Sequence, residues 1–101
     1  MLSIQQERKT MPTYGINNLE LSQAKVSGSN RAFHDFNKGS DTVEELEDLL
    51  SVADIREKLA YNNYTRAHSI QFLRKCYIEW QAARAYHNMF HSLFKELEVI
   101  S

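Results

Sequence analysis

Glycine and proline are scarce in this chain, with 3 Gly and 1 Pro among 101 residues. Multi-turn β folds and collagen-like chains use those residues as punctuation, so both are excluded and long helices are the natural alternative. A single cysteine, Cys76, rules out an internal disulfide framework and any Cys-rich zinc ribbon. Charge of one sign is lacking as well: a net charge of −1 removes a strongly basic nucleic-acid binder and a strongly acidic DNA mimic. No window approaches the roughly 18 uninterrupted apolar residues of a spanning helix, and the N-terminus has no apolar core of the kind an export signal needs. The expectation is a soluble, cytoplasmic protein with no membrane association. In that setting the sequon Asn63-Tyr64-Thr65 has no glycosylation chemistry available to it.

What is present is ordinary globular composition, 43% hydrophobic, 11% aromatic and 25% charged, in a chain long enough for one core. The small net charge conceals a division along the chain. Residues 41–57 carry Asp41, Glu44, Glu45, Glu47, Asp48, Asp54 and Glu57 against Arg56 alone, a net of −6. Residues 58–95 carry Lys58, Arg66, Arg74, Lys75, Arg84 and Lys95 against Glu79, a net of +5. Residues 1–40 hold Pro12, all three glycines and the loop-like run Ser27-Gly28-Ser29-Asn30, and they read as an N-terminal arm, largely irregular and poorly ordered. Within the arm Leu19, Leu21, Ala24 and Val26 suit either a short helix or an edge strand, and Phe33 and Phe36 are the residues suited to pin it down. Residues 41–101 read as the helical domain.

Thr42 followed by Glu45 makes a capping box, in which each side chain satisfies the other residue's orphan backbone N–H, so a helix begins there. Val43, Leu46, Leu50, Ala53 and Ala60 recur at spacings of three and four behind it. Ser51 with Asp54 offers a second capping box, so the stretch reads as either one helix or two short ones, and Asn62-Asn63 offers a stop, since Asn tolerates the left-handed conformation of a helix end. The stretch from Tyr64 to Val99 contains no Gly and no Pro and reads as one long helix. Leu73, Cys76, Trp80, Ala83, His87, Phe90, Phe94 and Leu97 alternate there in steps of three and four, a heptad seam with His87 its only polar member. The acidic helix is too short to cover that seam, so either the arm or a second chain must cover the rest.

Candidate chemistry is thin. His87 and His91 share a helical face at a spacing that can hold a metal, but the Glu of HExxH is missing and Cys76 lies about 16 Å away along the helix. Cys76 reads as a small buried hydrophobe and His34-Asp35 as an unsupported dyad; no phosphate-binding loop or nucleophile elbow occurs. The expectation is therefore no enzyme, no metal and no cofactor. Arg74 and Lys95 share a row with Gln81 and Asn88 that reads as a solvated outer face.

The expected architecture is all-α, a helical hairpin or bundle with one long C-terminal helix behind a poorly ordered arm. The expected role is a small regulator, adaptor or inhibitor that binds a protein partner, itself included as a homodimer, through Trp80, Ala83, His87, Phe90, Phe94 and Leu97. The alternative is a dimeric nucleic-acid-associated regulator using Arg66, Arg74, Lys75, Arg84 and Lys95.

Overall fold

The computed structural model describes residues 16–38 and 42–100, and the side chains as far as residue 97. Three helices carry these residues, with no strand among them: α1 (Asn18–Asn37), α2 (Val43–Thr65) and α3 (Ile70–Ile100). The all-α architecture with one long C-terminal helix is thus the one its sequence leads one to expect.

Each helix start has a chemical cause. The Asn17 side chain accepts from Leu19 N–H at 2.7 Å and opens α1, with Ile16 buried just ahead of it. Thr42 Oγ1 accepts from Glu45 N–H at 3.1 Å and opens α2, as its capping box predicts. Ser69 Oγ accepts from Phe72 N–H at 3.2 Å and opens α3.

Three local expectations are corrected. Residues 18–37 of the arm are a continuous helix of 20 residues, not irregular chain; residues 1–15 lie outside the described residues. Ser51 caps nothing, and α2 runs unbroken through it. Asn62-Asn63 does not close α2 either: the helix continues to Thr65, whose hydroxyl donates to the Asn62 carbonyl at 2.9 Å. The long helix consequently starts at Ile70 rather than near Tyr64, because the four-residue turn 66–69 is needed to reverse the chain and Ser69 supplies the cap.

α3 is the central element, and α1 and α2 each pack on it while scarcely touching one another. Contacts fix the directions. Tyr64 lies against Tyr77 while Glu57 meets His87, so α2 runs antiparallel to α3. Gly28 meets Ala82 and Tyr86 while Phe36 meets Phe90, so α1 runs parallel to it. Ala32, Leu46, Phe90 and Phe94 form the buried core, one residue from each flanking helix and two from α3. Phe36, Leu49, Leu50, Tyr86, Met89 and Leu97 pack around it. Of the two arm phenylalanines, Phe36 is the pin, its ring 5.4 Å from that of Phe90, whereas Phe33 is 56% exposed. A second cluster at the hairpin end joins Tyr61 and Tyr64 of α2 to Tyr77 and Trp80 of α3.

Candidate functional site

The heptad seam of α3 is the place to begin, and it is used within the chain. Phe90 is fully buried and Phe94 nearly so, and Leu97 packs beside them. Trp80 stacks on Tyr64 with ring centroids 5.4 Å apart and meets Tyr61 at 4.9 Å. His87 is half-buried: its Nδ1 lies 2.6 Å from Glu57 Oε1 and its Nε2 3.9 Å from Asp54 Oδ1. Ala83 faces the space between α2 and α1. The six residues expected to dock a partner therefore lie against α1 and α2, with Phe90 and Phe94 in the core. Of the two ways to cover the seam, the arm takes one, because residues 18–37 form a helix that lies along α3.

Asp54 also pairs with Lys58 at 2.9 Å, which holds its carboxyl below the usual range despite some desolvation. The His87 ring lies 6.3 Å from that of His91, which is exposed, and among the described residues no group of three His, Cys, Asp or Glu is placed to hold a metal. Cys76 is 2% exposed, and burial pushes its thiol up, away from the thiolate that nucleophilic chemistry needs.

The basic residues do not converge. Lys75 and Arg84 are nine apart, which at about 100° per residue puts them on opposite sides of α3. Arg66 sits in the turn before α3, and Arg84 lies 5.9 Å over the Trp80 ring. The row expected to be solvated is mixed: Arg74, Asn88 and Lys95 are exposed, but Gln81 is buried. The reason is that α1 covers this side of α3, with Lys25 beside Gln81, Ala85 and Asn88.

What the sequence concealed is the joint between α1 and α3. A Cβ on Gly28 would stand 2.3 Å from the Ala82 carbonyl oxygen, so the two backbones approach as only glycine permits. One turn on, the Tyr86 hydroxyl donates to Asp35 Oδ2 at 2.6 Å across 51 residues of sequence. That bond holds the Asp35 carboxyl below its usual range; burial, reinforced by the same bond, pushes Tyr86 up to about 12. Asp35 has His34 beside it at 3.5 Å, but the pair is well exposed and Asp35 is committed to Tyr86.

With the seam filled, the large apolar residues left outside lie elsewhere. Leu19, Val26 and Phe33 are 63%, 57% and 56% exposed and recur every seven residues on the outer face of α1. Val52, Ile55 and Leu59 form a shorter stripe on α2. Among the described residues no helix is long and apolar enough to cross a membrane. Comparison with known proteins finds no family model, no curated protein and no solved structure that matches this chain.

Proposed function

We propose that this chain is a small helical regulator or adaptor that works by binding a protein partner, and that it docks through the outer face of α1 rather than the seam of α3. The observation that carries this reading is the seven-residue recurrence of Leu19, Val26 and Phe33, each more than half exposed on a helix that is otherwise polar outside. Large apolar side chains repeated along one line of a helix are what a facing amphipathic helix buries, and their exposure has no use in the isolated bundle. A second copy of the chain is the simplest partner, because self-complementary contacts close on a twofold axis.

The test is the solution mass of wild type and of the double variant Val26→Asp/Phe33→Asp by light scattering, across a hundredfold range of concentration. Concentration-dependent association of the wild type that the double variant loses, with Arg74→Ala unchanged, supports docking of a second copy. A wild type that stays monomeric moves the test to proteins captured from cell extract. There, a partner retained by Arg74→Ala and lost by the double variant supports the reading. Capture that is equal in all three proteins overturns it.

A further inference from the structure

Gln81, Arg84, Ala85 and Asn88 recur at spacings of three and four and so share one side of α3. With Lys25 of α1 they line a recess of 300 Å³. Gln81 is its unusual member, because it is only 5% exposed. Among the described residues its carboxamide has no hydrogen-bond partner, yet no side-chain nitrogen or oxygen sealed from solvent goes without one, so the amide faces the open space of the recess. A carboxamide held in that way has lost most of its water and has donors and an acceptor left to satisfy.

The charge at this recess is of one sign. Lys25 reaches it from α1 and Arg84 from α3, and among the described residues no carboxylate lines it and none lies within ion-pair distance of either cation. The acids that could have neutralised them point elsewhere. Glu79 precedes Gln81 by two residues, about 200° round α3, and lines a separate cleft beside Tyr86. Glu20 precedes Lys25 by five residues, about 140° round α1. Asp35 is bonded to Tyr86, while Glu57 and Asp54 of α2 face His87. Arg84 lies 5.9 Å over the Trp80 ring, a contact that helps to hold the guanidinium and leaves its charge uncompensated. Two cations and two carboxamides, Gln81 and Asn88, thus surround one space in which an ammonium offers a point charge and a guanidinium a planar fork of donors.

We propose that this recess binds a phosphate group, free or carried on a small polar body, with the oxyanion bridging Lys25 and Arg84 and the Gln81 and Asn88 amides donating to it. A phosphate monoester carries close to two negative charges at neutral pH and several strong acceptor oxygens, which matches two cations and two amide donors. Pockets for small molecules run to roughly 300–1,000 Å³, so the space suits a phosphate with a compact body. Ala85 is the one apolar residue in the lining, which makes that body polar, of the size of glycerol. The site shares no residue with the outer stripe of α1 and does not depend on the docking of a protein there.

Inorganic phosphate and glycerol 3-phosphate are the probes, with glycerol as the neutral counterpart, titrated at one fixed ionic strength into the 15N-labelled full chain. Saturable shifts are expected at the side-chain amides of Gln81 and Asn88 and the backbone amide of Lys25. Saturation at lower concentration by glycerol 3-phosphate identifies a phosphorylated small molecule, and saturation at lower concentration by inorganic phosphate identifies the free ion. Glycerol should leave these resonances in place. Lys25→Gln and Arg84→Gln should each weaken binding about tenfold, the loss of one charge-assisted contact, with the rest of the spectrum unchanged because both side chains are exposed. Arg31→Gln removes a cation of α1 that lies off the recess and should leave the affinity as it was. The proposal is overturned if neither anion gives saturable shifts at those resonances up to about 10 mM, well above the Kd of a weak site. It is equally overturned if glycerol shifts them as the anions do, if either Lys25→Gln or Arg84→Gln binds as the wild type does, or if Arg31→Gln weakens binding as much as they do.

Discussion

The two flanking helices hold α3 by different physics. α2 meets it through a conventional seam of large side chains, Leu46 against Phe90 and Phe94 at one end and four aromatic rings at the other. α1 meets it through small residues at its middle, where Gly28 and Ala32 are buried, the backbones nearly touch at Ala82 and one hydrogen bond from Tyr86 to Asp35 pins the pair, and through Phe36 edge-on to Phe90 near its end. The first joint is held by area removed from water and tolerates local repacking. The middle of the second is held by shape and one polar contact, and there a single added or removed atom is felt at once. The two joints therefore answer differently to a single substitution, and Gly28 is where the second is most sensitive.

The substitution with the largest effect should erase the difference, because Phe90 belongs to both joints. Its ring meets Phe36 of α1 edge-on, and its side chain packs in the same cluster as Leu46 of α2. Phe90→Ala should cost about 3–5 kcal/mol, a large part of the stability of a small domain, and destabilise both flanking helices together in urea unfolding followed by circular dichroism.

Gly28→Ala should sharpen the comparison. The added methyl gains about 1 kcal/mol of helix propensity, but it meets backbone that cannot swing aside, and overpacking of this kind costs typically 1–3 kcal/mol. A net loss is expected, read by hydrogen exchange as faster opening of α1 with α2 and α3 still protected. Uniform loss of protection across all three helices would mean that α1 is not a separable unit.

Tyr86→Phe removes the polar pin and leaves the ring. A loss of about 1–2 kcal/mol is expected, with a characteristic pH signature. Asp35 is held below 3.8 in the folded state, so its contribution is present above that value and is lost as pH falls through the depressed folded value. Tyr86 is raised from 10 to about 12, so its contribution is present below pH 10 and is lost as pH rises from 10 to about 12. The Phe variant should show a shallower acid limb and lose the part of the alkaline limb that Tyr86 contributes. Unchanged limbs would remove the bond as their cause.

His87→Leu should have the smallest effect. The residue bridges towards Glu57 and Asp54 on α2, but the site is partly open to water, and replacing a polar contact by an apolar one on a seam is nearly neutral. A change within about 1 kcal/mol is expected in urea unfolding, and a loss above about 2 kcal/mol would mean that the contact with Glu57 is a main tie between α2 and α3.

The same contrast explains which parts of the molecule were legible in the sequence. The α2–α3 joint writes itself in large apolar letters at spacings of three and four, and Thr42 announces its start. The middle of the α1–α3 joint writes itself in Gly28 and Ala32, which no hydrophobic pattern distinguishes from loop, while three of the large residues of α1, Leu19, Val26 and Phe33, are exposed. A reading that assigns large apolar residues to the inside therefore leaves a short helix and an edge strand equally open there and misses that the helix runs over all of residues 18–37. Asn62 and Asn63 mislead for a related reason: the packing of Tyr61 and Tyr64 against Trp80 carries the helix past a local stop signal.

The aromatic cluster at the hairpin end has an optical consequence. Trp80 is the only tryptophan, and among the described residues its ring neighbours are tyrosines at 4.9 to 5.8 Å, all from α2 and α3. Its emission, including energy passed to it from those tyrosines, reports the hairpin and none of the described part of α1. Release of α1 would leave tryptophan fluorescence nearly unchanged while the far-ultraviolet helix signal falls, and the gap between those two curves would measure the separate stability of α1.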